Sequence, residues 1–548
     1  MLPITLALYD TAGIQYIAEP QQLRFTKSFY GGIDVEMSFF LARPAMFDYP
    51  EIGHGQKVEL WHGMTRKFLG VQREISVSKS EGQEGFNVRC MGYNTYLRDF
   101  SYGGKGKLWA ENRYSEFRPV TAQENAQYRT QNVELGRDDR LIITLHKKVT
   151  PKPDKFYGLY YECPFDNIKK VSFSYEAQCL NDGKFLQRLF SYADGFTSRN
   201  AEWDNSTPGS GDVVATLSTE RPIIVFAARD WGDPEWWEED HYLEITNLLI
   251  FGTTVTAPTV SDVVGDIVDE ISGDTDISSN KDLIETVGLT LIPFIVQDGE
   301  LCYDALKTAV SYGDSNHDPL GWGVEDGGDR LFVKQPDLAT VRYAIPMDSA
   351  TRADRRVITA EDFLTEAWGL YRDEQGKRQF TDKYYAHIAS SGITATTTST
   401  GNDLASTIYN VKRSDIVDFE TVQASLAIDA LQQYLIDHAH PISRVSLSVQ
   451  APVQDLTQSG AHVEPMDLEV GYLCQIPWLR ANVIQSSAGD DIRDWETTFL
   501  LTGLEYDHDS RTARLILERD TENYARMLAY IKAMRAGSEI IDTRDPSP

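Results

Sequence analysis

No apolar run in the 548-residue sequence reaches the length of about 20 residues that a membrane-spanning helix needs. The start, MLPITLALYDTAG, turns polar too soon for a secretory signal, so a soluble protein made in a cytoplasm is expected. Cysteine is scarce as well. Cys90, Cys163, Cys179, Cys302 and Cys474 are odd in number and lack CxxC spacing, which argues against a disulfide framework and predicts reduced, mostly buried thiols. Basic residues are outnumbered, 52 against 82 acidic ones, for a formal net charge of −30. Nucleic-acid binding needs cations that displace counterions from phosphate, and this balance argues against it. The same charge suits plain solubility, and it suits a wall that DNA passes without sticking.

Catalytic signatures are missing too. There is no GxSxG elbow, HExxH, phosphate-binding loop or GxGxxG. His438 and His440 form an HxH pair, but no histidine opens the HxxxD pattern that would complete a zinc peptidase site. The pair lies at the end of a predicted helix before Pro441, where imidazole complements the helix dipole. No catalytic residue, metal or cofactor is assigned, and the chain is read as non-enzymatic.

What the sequence does contain is a β unit that occurs twice. The first copy runs from Ile52 to Tyr93 and the second from Leu468 to Glu518. Each has a glycine (Gly55, Gly471) before a short strand, then an aromatic-leucine pair (Phe68-Leu69, Phe499-Leu500), a further glycine (Gly70, Gly503) and a polar-tipped hairpin. Val71, Ile75 and Val77 alternate with Gln72, Glu74 and Ser76, which predicts one buried and one wet face. Two unrelated hairpins in a β-rich protein are the competing reading.

Between the copies the character shifts. Gly103–Arg137 is polar and aromatic and reads as a long loop. From 134 to 256, short strand-like runs separated by turns such as NDGK and TPGSGD predict a sandwich or jelly roll. Trp203, Trp231, Trp236 and Trp237 cluster there, as platforms for sugar rings or as packing and interface anchors. Val263, Ile267 and Ile271 mark an amphipathic helix, Cys302–Ser311 a second, Glu420–Ala439 a third and Glu522–Arg535 a fourth.

One segment carries ligand-like spacing. Asp274, Asp276, Ser278, Asn280, Asp282 and Glu285 occupy positions 1, 3, 5, 7, 9 and 12 of a calcium-binding loop that follows a helix. Ser279 stands where the sharp turn needs glycine, and Lys281 where an apolar residue belongs. A solvated acidic loop is the competing reading.

The phrases GGIDVEMSFFLARP, IGHGQKVELWHG, FLGVQREISV and VRCMGY resemble the opening of tailed-bacteriophage central baseplate-hub, or tail-associated, proteins. MDLEVGYLCQIP and TTFLLTGLEYDHDSRTARLILERD resemble that family's closing domain, and DALKTAVSYGDSNHDPLGWGVEDGGDRLFVKQPD resembles a middle segment of phage minor tail proteins. The resemblance covers about half the chain. It implies a homotrimer in which each subunit supplies two tube-like β-barrel domains, so that three chains match a six-fold tail tube to a three-fold tip. Tail tube, distal tail and fibre or spike proteins would be its partners, with the host surface as a further one, and DNA would pass through the lumen. The expected location is the virion tail tip. The family's wall-cleaving activity is not carried over, since a helix and a short tail follow Glu518. A receptor- or glycan-binding tail protein is the alternative.

The expected fold is mainly β with minor α (α+β). Residues 1–125 would form the first tube-like β-barrel domain and 134–256 an inserted, jelly-roll-like β-sandwich. A mixed α/β middle hub region would fill 259–415, with the second tube-like domain and its preceding helix at 416–520. A C-terminal helix and polar tail would close the chain at 521–548.

Overall fold

The computed structural model describes residues 3–518 other than 10–11, 14, 19, 32–35, 43–54, 81–82, 103–105, 112–113, 115, 122–123, 126, 130–139, 146–154, 166, 179–184, 194–195, 197, 231–240, 257, 290, 292–293, 315–319, 326, 359–363, 373–377, 390–391, 409, 419–423, 440–441 and 480–497. The helix expected at Glu522–Arg535 lies outside the described residues, as does Cys179. The other four cysteines are buried, and none lies in a disulfide. The chain is mainly β and divides into two compact units. The first gathers Met1–Phe100, Val260–Leu289 and Leu301–Ile531, and the second is built from Ser101–Thr259 and Thr290–Glu300.

The first unit is organised by one sheet of fifteen strands among the described residues. Its N-terminal half runs Gln15–Ala18, Ile4–Tyr9, Lys57–His62, Thr65–Ser80, Gln83–Gly92, Glu36–Ala42 and Gln21–Ser28. Gln21–Ser28 then pairs antiparallel with Thr498–Asp507, from Arg24 opposite Asp507 to Ser28 opposite Gly503. The two β units expected at opposite ends of the chain therefore lie in one sheet, joined through Glu36–Ala42 and Gln21–Ser28. No sheet of the described residues closes on itself through strand pairing alone.

Thr498–Asp507 can serve both halves because it is long. Its first residues pair with Tyr472–Gln475, its later ones with Gln21–Ser28, and Thr512–Glu518 runs along its other edge. A single core crosses the joint. Leu6, Phe25, Phe39, Leu60 and Phe68 from the N-terminal half share it with Leu447, Cys474, Phe499, Leu504 and Leu515. Fully burying one such side chain contributes about 1.5–3 kcal/mol, so this core ties the two halves strongly.

The repeat is visible in the backbone. Lys57–His62, Thr65–Ser80 and Gln83–Gly92 make an antiparallel meander, and Tyr472–Gln475, Thr498–Asp507 and Thr512–Glu518 make another. Gly55 and Gly471 each precede the first strand with positive φ, +79° and +89°. Each donates its N–H to a carbonyl of the second strand, Gln72 O at 2.8 Å and Leu501 O at 2.7 Å. Phe68 faces Leu60, five residues past Gly55, whereas Phe499 faces Cys474, three past Gly471. That two-residue offset keeps both aromatic rings on the same, buried face.

One part of the predicted alternation fails. Gln72, expected on the wet face, is fully buried, while Val77 is largely exposed. The pairing shifts between Gln72 and Glu74, and such a bulge resets which side chains face inward.

The helices follow their apolar spacing. Val260–Ser272 buries Val260, Val263, Val264, Ile267, Val268 and Ile271 and packs against Cys302–Val310. Ala424–His438 buries Ala427, Leu431 and Leu435 against a sheet, five-stranded among the described residues, that includes Glu366–Arg372 and Tyr384–Ala389.

The second unit is a sandwich of two six-stranded sheets among the described residues. Val171, Phe173, Leu243 and Ile245 of one sheet meet Leu159, Leu189, Ile224 and Phe226 of the other in one core. The segment Gly103–Arg137, read from sequence as a loop, belongs to this unit and carries strands Lys107–Glu111, Arg118–Pro119 and Tyr128–Arg129. Its aromatics are anchors rather than loop decoration. Tyr114, Phe117 and Tyr128 are buried, the Tyr114 hydroxyl accepts from Leu248 N at 2.9 Å, and the Tyr128 and Tyr192 hydroxyls lie 2.7 Å apart. Strands of two to five residues are too short to show alternation, which is why the sequence hid them.

Candidate functional site

The most constrained region of the first unit is the joint between the two meanders. Phe29 follows Gln21–Ser28, donates its N–H to Thr502 O at 2.9 Å and accepts from Trp322 N at 2.9 Å. Its ring is buried between Gly321 and Gly471: a Cβ on either would lie 2.2 or 2.4 Å from a ring carbon. Gly31, at φ +58°, leaves similar room for the Trp322 ring. Glycine is required here by close approach as well as by conformation.

Charged groups reinforce the same joint. Lys27, almost fully buried, donates to Leu468 O at 3.0 Å. Asp467 lies 2.7 Å from Lys67 Nζ, and both its oxygens lie 3.0 Å from His62 Nδ1. Burial pushes the Asp467 carboxyl upward, but hydrogen bonds and charge from Lys67 and then His62 outweigh it, holding the group below the usual carboxylate range. Nearby, buried Glu59 accepts from the Tyr9 hydroxyl (2.9 Å), Trp61 Nε1 (3.1 Å) and an Arg66 guanidinium nitrogen (3.0 Å), with Lys57 Nζ at 2.9 Å. Burial raises the Glu59 carboxyl, and its donors, Lys57 first, bring it below the usual range. The same contact, with burial leading, pushes the Tyr9 phenol up to about 12. These contacts hold elements of the N-terminal half against one another and against Asp467.

The calcium-like loop is arranged differently from its spacing. Asp276 accepts from the hydroxyls of Tyr93 (3.2 Å) and Tyr96 (3.5 Å), and Glu285 accepts from Gln335 N at 2.9 Å. Asn280 donates to Asp282 at 3.0 Å, and Ser278 accepts from Asn280 N at 3.3 Å. No contact of the Asp274 carboxylate with this set is found. Among the described residues no three His, Cys, Asp or Glu side chains gather as a cation would require. Calcium at about 10 mM, enough to load even the weaker extracellular type of loop, is expected to leave the thermal midpoint unchanged. A rise of several degrees in a calorimetric scan would assign the loop to the ion instead.

Trp203 lies on Arg199–Asn205, half-buried, edge-on to Phe173 (5.3 Å between centroids) and tilted against Tyr175 (4.9 Å). It packs on the sandwich core. Trp231, Trp236 and Trp237 lie outside the described residues. His438 Nδ1 sits 2.8 Å from Tyr434 O, with the two rings 4.2 Å apart, and His440 lies outside the described residues.

A feature without any sequence signal is a cleft of about 530 Å³ in the second unit, lined among others by Glu111, Glu116, Arg118, Tyr160, Tyr161 and Glu162. Its polar groups come from separate strands, so no spacing announced it.

No protein-family model matches the sequence, and no curated protein matches it. Among solved structures, the chain is similar to a 43 kDa tail protein of prophage MuSo2 from Shewanella oneidensis, at 10% identity and TM-score 0.44, over 97% of this chain and 98% of that one. It is similar to a tail protein from Neisseria meningitidis, at 10% identity and TM-score 0.42, over 94% and 97%. The prophage tail protein gp18 from Listeria monocytogenes is similar at 8% identity and TM-score 0.38, over 97% and 99%.

Proposed function

We propose that this chain is a structural hub protein of a bacteriophage tail tip, non-enzymatic, three copies of which form a ring that adapts a six-fold tube to a three-fold tip. The observation that carries the reading is the doubled meander tied into one sheet through Gln21–Ser28 and Thr498–Asp507. A unit present twice in one chain lets three chains present six, and the common sheet fixes the angle between the two copies. The sequence phrases that resemble the hub family fall in these same elements.

The C-terminal half supports the tube-like part of the proposal. Its pairings run from Ala350–Ile358 through Ile442–Val449, Thr512–Glu518, Thr498–Asp507 and Tyr472–Gln475 to Asp337–Ala344. That last strand is followed in the chain by the first, after the short turn Met347–Ser349, without a pairing between them among the described residues. Gln450 N donates to Ser349 O at 2.9 Å and the Ser349 hydroxyl to Pro452 O at 2.9 Å, pinning the corner. The net charge of −30 per chain suits a lumen that DNA traverses without binding.

In this reading the protein works in the virion between tail tube and distal tail proteins, with fibre or spike proteins and the host surface beyond. Mass photometry of the purified chain is expected to give about three times 61.8 kDa, and negative-stain averages a three-fold ring. A chain that stays monomeric at high concentration and forms no ring in virions overturns it.

A further inference from the structure

We infer that the second unit binds a neutral saccharide in the cleft between its two sheets, at Glu111, Glu116, Arg118, Tyr160 and Glu162. This rests on the sandwich alone and stands whether or not the chain is a tail hub. Lys107–Glu111 and Phe294–Val296 supply one wall from the first sheet, with Glu111, Ile295 and the following Gln297. Arg118–Pro119 and Phe156–Glu162 supply the other, Arg118 lying opposite Tyr160 in register. The cavity volume, about 530 Å³, lies within the usual range for small-molecule sites.

The lining selects the ligand class. Three carboxylates face one guanidinium, so phosphates, sulfates and nucleic acid are repelled. A wholly apolar ligand would desolvate the exposed Glu116, Arg118 and Glu162 without offering them hydrogen bonds. Among the described residues no trio of acids, histidines or cysteines converges for a metal. A polyol satisfies each part of the wall. Its hydroxyls donate to the carboxylates, which only accept, and they accept from Arg118 and from the Gln297 amide. Its C–H faces lie against the rings of Tyr160 and Phe165.

The floor is held in place before any ligand arrives. Glu111 is 2% exposed and accepts from the Tyr161 hydroxyl at 2.6 Å, and the Tyr161 ring lies 5.6 Å from that of Phe117. The Tyr160 hydroxyl donates to Glu124 at 2.9 Å, which fixes the ring that borders the opening. A cleft arranged this way loses little side-chain freedom on binding.

Saturation-transfer NMR on the full chain tests the inference, with glucose, galactose, rhamnose, N-acetylglucosamine and their disaccharides as probes, and with methylamine and inorganic phosphate beside them. At least one saccharide is expected to bind with millimolar affinity, and the Glu116→Gln/Arg118→Met variant to bind it about tenfold more weakly. Both residues are exposed, and an unchanged near-ultraviolet circular dichroism spectrum confirms the fold of the variant. A panel without any saccharide signal overturns the inference, as does preferential binding of methylamine or phosphate. Saccharide binding that survives in this variant but vanishes in Trp236→Ala/Trp237→Ala also overturns it, placing the sugar elsewhere in the unit.

Discussion

Gly471→Ala is expected to destabilise the first unit by roughly 2–5 kcal/mol, seen as a lower urea midpoint for the transition that reports on it. Two independent costs add. Gly471 has φ +89°, where an L side chain costs about 1–2 kcal/mol. Its Cβ would also sit 2.4 Å from Phe29 Cε2 and 2.7 Å from Cδ2, an overpacking that typically costs about 1–3 kcal/mol. The two can be separated. Phe29→Ala alone removes a buried ring and costs about 3–5 kcal/mol. In that background the clash is gone, so Gly471→Ala should cost only the conformational part, and Phe29→Leu provides a milder background for the same comparison. An equal cost of Gly471→Ala with and without the ring would show that Phe29 does not set the requirement for glycine.

This glycine shows how far the sequence could be read. Gly55 and Gly471 stand out together because each precedes a short strand, and both do take positive φ. Their reasons differ. A Cβ on Gly55 would meet nothing within 4 Å, whereas Gly471 yields to a ring from the other end of the chain. Local spacing encodes a turn, but it does not encode which distant strand packs on it. The helix Val260–Ser272 was legible because its buried residues recur at i and i+4, as Val263, Ile267 and Ile271 do. Gln72 was not, since a bulge is a property of the pairing and leaves little trace in one strand.

The candidate sites divide along the same line. The acids from Asp274 to Glu285 form a pattern that sequence displays well, yet the pattern is silent about Tyr93 and Tyr96, whose hydroxyls reach Asp276. The cleft is the opposite case. Glu111, Arg118 and Glu162 lie on three strands, with Ile295 on a fourth, and only the folded sheets bring them to one opening. Chemistry assembled across sheets has no fixed spacing, so no reading of one chain in isolation would have found it.

Asp467→Ala is expected to cost about 2–4 kcal/mol at neutral pH, because it leaves Lys67 and His62, both largely buried, without the anion they share. The effect exceeds that of a surface pair, since the side chains of His62, Lys67 and Asp467 are only 4%, 13% and 24% exposed. The pH dependence has a definite sign. The folded Asp467 carboxyl titrates below its ordinary value of 3.8, so the unfolded chain binds its proton first as pH falls. Its contribution is therefore fully present above the ordinary carboxylate range and is lost as pH drops through the folded value. Asp467→Asn should thus be less stable than the parent at neutral pH and approach it as the solution is acidified. Glu59, Asp455 and Asp507 are also held low, so the variant keeps part of the acid slope. His508 adds to that slope from higher pH: burial, its leading cause, lowers its folded value, so its contribution fades as pH falls below the usual imidazole range. Urea midpoints of parent and Asp467→Asn, measured from about pH 7 down to about pH 3, distinguish these contributions. A difference between the two proteins that stays constant over that range would mean that Asp467 stabilises the joint by shape rather than by charge.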